Sequence, residues 1–114
     1  MGAIMKSFAN AQPVDFKAVS SAALSALDFV VPQLLPGGRR ESGEWVARNP
    51  TRNDAKPGSF KVNLRSGVWC DFATGDRGGD PVSLVAYLAD VSQGEAARLL
   101  AQMLGIEMGG SGNG

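Results

Sequence analysis

Hydrophobic positions in the first third of the chain recur at helical spacing. Between residues 14 and 36, apolar side chains fall three and four positions apart, which predicts an amphipathic helix. Asp15 is its expected N-cap, and Pro32 is expected to end it near Val30 or Val31. The apolar stripe of this helix consists of Phe16, Val19, Ala23, Leu24, Leu27 and Val31. Such a stripe is typical of a helix that packs on its own domain, with a partner-binding helix as the alternative.

The hydrophobic period changes from helical to alternating in the middle of the chain. Residues 59–65 and 68–72 alternate on either side of Ser66-Gly67, which predicts a β-hairpin. Residues 44–48 are predicted to form a further short strand. We therefore expect a small antiparallel sheet of about three strands.

The alternation also sorts the hairpin side chains into two faces, because successive residues of a strand point to opposite sides. The apolar sets are Phe60, Val62 and Leu64 on the first strand, and Val68, Cys70 and Phe72 on the second. If both sets face the core, Trp69 lies on the outward face beside Lys61 and Arg65. The alternative is that Trp69 is covered by the first helix and that the cations form an ordinary solvated face.

A glycine-rich loop, residues 73–80, precedes the last two predicted helices. Asp80 followed by Pro81 predicts an N-cap and the first residue of a helix that reaches about Asp90. Ser92 and a glutamate three residues later predict a capping box at the start of a final helix, which Gly105 ends. The loop glycines would also allow backbone N–H groups to cradle phosphate, although the spacing of a P-loop or dinucleotide fingerprint is missing.

Together these elements predict an α+β fold with an N-terminal helix, a small antiparallel sheet and two C-terminal helices. Within the 114 residues we expect a flexible leader at 1–13, one domain at 14–107 and a flexible, glycine-rich tail at 108–114.

The composition excludes several classes of site. The chain contains no histidine and a single cysteine, Cys70. An intramolecular disulfide, a zinc site of four Cys and His ligands, and a Ser-His-Asp or Cys-His catalytic arrangement are therefore impossible. We expect no bound metal, no cofactor and no enzymatic activity. The alternative hypothesis is a small enzyme with Cys70 as the nucleophile, but such an enzyme would have no general base to activate the thiol. The sequence has no apolar stretch near the roughly 20 residues of a membrane span and no secretory signal, so no membrane partner and a cytoplasmic location are expected.

Charge is balanced overall but unevenly distributed. Eleven basic and eleven acidic residues give a net charge of zero, yet residues 48–65 carry five positive charges and one negative charge. Cations beside an aromatic ring suit single-stranded nucleic acid, since bases stack on the ring while cations hold the phosphates. The predicted nucleic-acid-binding residues are Arg48, Arg52, Lys56, Lys61, Arg65, Trp69 and Arg77.

Several short motifs in residues 45–105 follow one another in the order of a known family. Residues 49–52 (NPTR) precede a Pro-Gly-Ser-Phe strand at 57–60, and residues 71–75 (DFATG) precede the Gly-Asp at 79–80 that begins a helix. In this arrangement the chain resembles the N-terminal zinc-binding domain of bacterial and phage DNA primases. That family has a Cys-Pro-x-His knuckle before a Pro-Ser-Phe strand, and a Cys-x-x-Cys-Gly knuckle before a Gly-Asp loop.

All four metal-ligand positions of the family are replaced here, by Asn49, Arg52, Asp71 and Thr74. The chain therefore resembles a zinc-less relative, of the kind found at the start of phage- or plasmid-type primase-helicases. An ion pair between Arg52 and Asp71, with Asn49 and Thr74 hydrogen-bonding beside it, is the expected replacement for the metal. A hydrophobic plug from the N-terminal helix is the alternative.

The resemblance implies binding of single-stranded template DNA, and the basic strand face supports the same function. We therefore expect a non-catalytic nucleic-acid-binding module in a primase or replication context. Its candidate partners are single-stranded DNA, RNA as an alternative ligand, and a helicase or primase catalytic domain. The alternative is a protein–protein interaction module that docks a helicase or polymerase of a phage or plasmid replication system. Salt-dependent binding to oligonucleotides would separate the two.

Overall fold

Four helices and a five-stranded antiparallel sheet make up an α+β fold in the computed structural model, which describes residues 15–51 and 59–106. The helices are α1 (Phe16–Leu24), α2 (Leu27–Leu34), α3 (Pro81–Ala89) and α4 (Gln93–Leu104). The strands are β1 (Arg39–Glu41), β2 (Glu44–Ala47), β3 (Phe60–Asn63), β4 (Trp69–Asp71) and β5 (Arg77–Gly78). The predicted fold class is confirmed, with five strands where about three were expected. The predicted leader and tail, together with their boundaries at 13/14 and 107/108, lie outside the described residues.

The single N-terminal helix of the prediction is two helices, interrupted at Ser25 and Ala26. Val19 and Ala23 of α1 pack in an apolar cluster with α3 and α4, whereas Leu27 and Val31 of α2 pack against the sheet. Because of this break, the apolar side chains that form one stripe in the sequence pack against two different surfaces. Because each helix turns its stripe to its own partner, the ends of α1 are left at the surface.

Three residues of the first helical region depart from the prediction. Phe16 and Leu24 belong to the predicted stripe but remain 43% and 39% exposed. Pro32 lies inside α2, and the helix ends two residues later at Leu34. A proline lacks a backbone N–H and crowds the carbonyl of residue i−4, so α2 forgoes one intrahelical hydrogen bond at Pro32.

The sheet has the strand order β1-β2-β3-β4-β5, so each strand pairs with its neighbours in sequence. The prediction missed both outer strands, β1 and β5, and the two residues of β5 fall within the predicted glycine-rich loop. The β1–β2 turn contains Ser42 and Gly43, both with positive φ (50° and 81°), as a two-residue turn between twisted antiparallel strands requires.

The strand register divides the sheet into an inner face and an outer face. Val62 stands opposite Trp69, and Phe60 opposite Asp71, and all four side chains are buried on the inner face. Lys61 stands opposite Cys70 on the outer face, because directly paired residues share a side of the sheet. Neither apolar cluster of the core includes a residue of the outer face.

The core has two parts, and α3 contributes to both. One part lies between α1, α3 and α4, and the other lies between the inner face of the sheet, α2 and α3. Three aromatic rings form the centre of the second part: the Trp69 ring centroid lies 5.7 Å from Phe60 and 4.8 Å from Tyr87. None of the helices within residues 15–51 and 59–106 is long and apolar enough to cross a membrane.

The predicted N-caps are confirmed at both C-terminal helices, and of the capping box predicted at α4 the structure shows the half that Ser92 provides. The Asp80 carboxylate accepts a hydrogen bond from the Ser83 backbone N–H at 2.7 Å, and Pro81 is the first residue of α3. The Ser92 hydroxyl accepts from the Glu95 N–H at 3.1 Å at the start of α4. Gly105, with φ of 73°, ends that helix in the left-handed conformation that favours glycine.

Replacing Asp80 with alanine is expected to destabilise the domain by about 0.5–2 kcal/mol, because the first turn of α3 loses a side-chain acceptor. Asp80→Asn should cost much less, since asparagine caps about as well as aspartate. Urea unfolding of the three proteins measures both changes. Equal costs for the two substitutions would mean that the carboxylate does not act as a cap.

Candidate nucleic-acid interface

The outer face of the sheet has one row of side chains that crosses all five strands. Successive register pairs place Arg39, Val46, Lys61, Cys70 and Arg77 in this row. Lys61 and Arg77 stand on either side of Cys70, and because neighbouring strands are about 4.8 Å apart, their backbones are about 10 Å apart. Two of the predicted cations are therefore brought together with one strand between them.

Charge pairing distinguishes the two ends of this row. At the β1 end, Arg39 forms an ion pair with Glu41 of the same strand. Among the described residues, Lys61 and Arg77 have no carboxylate within ion-pairing distance. The second ion pair of the described residues, between Arg40 and Asp28 at 3.0 Å, does not involve this row. No described carboxylate thus balances the charges of Lys61 and Arg77, whereas the charge of Arg39 is partly balanced.

Trp69 does not lie on the outward face, so its predicted role in stacking on bases is wrong. The side chain is 3% exposed, and its Nε1–H donates to the Ser83 hydroxyl at 3.0 Å. The physical reason is the hairpin register: Trp69 is paired with Val62, an inner-face residue, and not with Lys61. The indole stabilises the core between the sheet and α3.

The other predicted binding residues occupy different positions. Arg48 is exposed and directly follows β2, whereas Arg65 is exposed in the β3–β4 turn, beyond the end of the strand. The Asn63 side chain accepts the Arg65 N–H at 2.8 Å and so shapes that turn. Arg52 and Lys56 lie outside the described residues. Lys61 and Arg77 are therefore the predicted cations that the outer row brings together.

The outer face also carries apolar residues that the sequence prediction assigned to the core. Phe72 is 67% exposed and Val68 is 49% exposed, and both continue the outward alternation of Cys70 along β4. The Lys61 Nζ atom lies 5.6 Å from the centroid of the Phe72 ring, within the range of a cation–π contact. The exposed aromatic ring beside the cations is thus Phe72. The even number of residues in the hairpin loop is the sequence signal that would have identified Phe72 as the exposed ring.

Two of the four positions that the primase resemblance places at metal ligands are joined directly. The Asn49 Nδ2 group donates to Asp71 Oδ2 at 2.7 Å and to the Tyr87 hydroxyl at 2.8 Å. The Asn49 Oδ1 atom accepts from both the backbone N–H and the hydroxyl of Thr51, at 2.8 and 2.7 Å. Asn49 and Asp71 are almost completely buried. An amide–carboxylate hydrogen bond therefore links the two segments.

A turn around Thr74, a third position that the resemblance places at a metal ligand, closes the second segment. The Asp71 carbonyl accepts the Gly75 N–H at 2.7 Å, and the Thr74 hydroxyl accepts the Asp76 N–H at 3.2 Å. The Tyr87 hydroxyl donates to Asp76 Oδ2 at 2.8 Å and ties this turn to α3. Arg52, the predicted ion-pair partner of Asp71, lies outside the described residues, so that pairing stays a prediction. Among the residues with described positions, no three His, Cys, Asp or Glu side chains converge as metal ligands.

The glycine-rich loop has a packing explanation at Gly78. A Cβ atom at this position would lie 2.5 Å from Trp69 Nε1 and 2.5 Å from Ser83 Oγ. Because glycine has no side chain, the indole can lie against the backbone of β5. The loop therefore needs this glycine for the fold, independently of any phosphate.

An open cavity of about 570 Å³ lies next to the polar cluster around Tyr87. It is lined by Thr51, Asp76, Ala86, Tyr87, Leu88 and Asp90. Its charged groups are carboxylates, which repel phosphate. The outer face is therefore the better candidate for a nucleic-acid backbone.

Comparison with models of known protein families and with curated proteins gives no match for this chain.

Proposed function

We propose that this chain is a non-catalytic module that binds single-stranded DNA through the outer face of its sheet, as part of a primase-like replication system. The observation that carries the proposal is the position of Lys61 and Arg77 on either side of Cys70, both without a carboxylate partner among the described residues. Arg48 adds an exposed cation directly after β2. The resemblance to primase zinc-binding domains supports the same ligand.

Binding by this face is local, because the chain has no net charge to attract nucleic acid over long distances. Each lysine or arginine that contacts a phosphate releases condensed counterions, so the affinity falls as the salt concentration rises. Because few cations take part, we expect a modest affinity and a shallow dependence of that affinity on salt concentration. RNA presents the same phosphates, so the affinities for DNA and RNA oligonucleotides, measured side by side, decide between the two ligands.

A protein–protein interaction module is the second candidate, with a helicase or polymerase as the partner. The exposure of Val68 and Phe72 favours it, because exposed apolar groups on a folded surface often mark a contact site. Such a module would bind its partner without retaining oligonucleotides.

We expect a labelled single-stranded oligonucleotide to bind at low salt, with an affinity that falls at higher salt. Lys61→Ala and Arg77→Ala should each weaken binding and lower the slope of log affinity against log salt by about one. Lys17→Ala is the matched control, since Lys17 is an exposed cation on α1 and should not change either value. Fluorescence anisotropy at two or more salt concentrations measures all four proteins.

Absence of binding to any oligonucleotide at low salt, with the fold intact, would reject the nucleic-acid proposal in favour of protein docking. Equal losses in the Lys17 variant and the outer-face variants would show that attraction is diffuse and that the outer face is not a site.

A further inference from the structure

The outward side of β4 is an apolar stripe, formed by Val68, Cys70 and Phe72. Val68 and Phe72 are 49% and 67% exposed, and Cys70 is half-buried between them. The backbone hydrogen bonds Asn63 N to Val68 O (2.8 Å) and Phe72 N to Ser59 O (2.7 Å) extend the β3–β4 pairing beyond its assigned ends. The stripe is therefore held on a regular part of the sheet, and residues two apart along it are about 6.7 Å apart.

Cations border this apolar stripe on both sides. Lys61 on β3 and Arg77 on β5 stand opposite Cys70, and the Lys61 ammonium lies 5.6 Å from the Phe72 ring centroid. An apolar strip between two cations matches the chemistry of an unpaired nucleic-acid strand, which has flat apolar bases and a charged backbone.

The far corner of the same face carries the opposite charge. Glu44 is paired in register with Asn63 and with Glu41, and because Glu41 is ion-paired with Arg39, Glu44 is the carboxylate there that has no cation partner among the described residues. Phosphates are repelled there. A strand that follows the apolar stripe along β4 avoids this corner, whereas a strand that crosses the sheet toward β1 approaches it.

We infer that the apolar stripe is a base platform, on which an unpaired base stacks against Phe72 while the neighbouring phosphates contact Lys61 and Arg77. The inference rests on the proposed function and adds the feature that selects the class of nucleic acid. A duplex keeps the faces of its bases inside its own stack, so it can use the cations but not the Phe72 ring. Selectivity for single strands therefore comes from the apolar stripe, and the salt dependence comes from the cations.

The sole cysteine allows a direct test on the unmodified protein. Because Cys70 lies in the middle of the apolar stripe, a bound oligothymidine should slow its alkylation by N-ethylmaleimide several-fold. A duplex of the same length, at a concentration that gives equal occupancy, should protect it less. Mass spectrometry of the alkylated fraction over time measures the rate.

A pair of aromatic variants tests the stacking contact itself. Phe72→Ala should weaken oligothymidine binding roughly 5- to 150-fold, the range that base–aromatic stacking contributes, and should leave the salt slope unchanged. Phe72→Trp should retain binding, and duplex affinity should change little in either variant. Phe29→Ala is the matched control, since Phe29 is a 52% exposed phenylalanine on α2 and should have no effect.

The outcomes separate this inference from the proposed function. If oligothymidine binds and Lys61→Ala weakens it, but Phe72→Ala does not and Cys70 reacts at its free rate, the strand does not use the apolar stripe and the inference is overturned. If the wild-type protein binds no oligonucleotide, the proposed function and the inference fail together. If Phe72→Ala does not fold, the protection of Cys70 in the wild-type protein still decides the question.

Discussion

Replacing Trp69 with alanine is expected to lower the free energy of unfolding by about 3–5 kcal/mol, the usual cost of truncating a buried aromatic residue. The indole fills the space between Phe60 and Tyr87, and its N–H group donates to the Ser83 hydroxyl. The substitution leaves a cavity at the junction of the sheet with α3 and removes that hydrogen bond. Because small domains are stable by only about 5–15 kcal/mol, the variant should be close to unfolding at room temperature.

Urea unfolding followed by circular dichroism measures this effect. Trp69→Phe should have an intermediate cost, because it keeps an aromatic ring but loses the hydrogen bond. Phe72→Ala is the matched control: its ring is 67% exposed, so we expect a change within about 0.5 kcal/mol. A Trp69→Ala variant as stable as the wild-type protein would contradict the packing of the indole against the sheet.

Replacing Asn49 with alanine should have the second largest effect, a loss of about 2–4 kcal/mol, since each buried polar group left without its partner costs roughly 1–3 kcal/mol. The Asn49 side chain donates hydrogen bonds to Asp71 and Tyr87 and accepts one from Thr51. Its removal therefore loosens the link between the segment after β2 and the end of β4. If the proposed resemblance to primase zinc-binding domains holds, these two segments correspond to the knuckles that a metal joins in that family.

A double-mutant cycle of Asn49→Ala and Tyr87→Phe measures how strongly these two hydrogen-bonded side chains are coupled. Tyr87→Phe keeps the ring against Trp69 but removes the hydroxyl, and its coupling energy with Asn49→Ala should be at least about 0.5 kcal/mol if the two side chains act together. A chelator should leave the melting temperature of the wild-type protein unchanged. Additive effects of the two substitutions, or melting that depends on chelator, would show that something other than this network holds the segments together.

Local features of the fold could be predicted from the sequence. Asp80, Ser92 and Gly105 act through backbone groups within one helical turn, so a few neighbouring residues are enough to identify them. The same holds for the Asp15 carboxylate, which accepts the Ala18 N–H at 3.0 Å. Strands β1 and β5 could not be predicted this way. They are short, polar segments, and only pairing with a neighbouring strand makes them part of the sheet.

The assignment of Trp69 to the wrong face has a specific cause. The prediction put all apolar side chains of the hairpin on one side, although hydrophobic pattern alone does not fix the register. The β3–β4 loop holds four residues, 64–67, between the paired residues Asn63 and Val68. A loop with an even number of residues pairs each odd-numbered position of one strand with an even-numbered position of the other. Lys61 must then share a face with Cys70, and Val62 with Trp69.

The polar cluster was anticipated only in part. The resemblance placed Asn49 and Asp71 at two of the four metal-ligand positions, but it predicted Arg52 as the partner of Asp71, whereas the structure shows a hydrogen bond from Asn49 to Asp71. Tyr87 was not anticipated, because its distance of 38 residues from Asn49 in the chain gives no local signal. A contact between a loop and a distant helix depends on the complete tertiary fold.

The charged sequence of β1 also affects how copies of the domain meet. Among the described strands, β1 and β5 are the two edges of the sheet, where unpaired backbone groups can recruit a strand from another molecule. β1 consists of Arg39, Arg40 and Glu41, and β5 has only two residues. Charged and very short edges disfavour such recruitment. At the high concentrations of recombinant expression, these two edges therefore offer little template for β-aggregation, and the hydrophobic strands β3 and β4 are shielded between their neighbours.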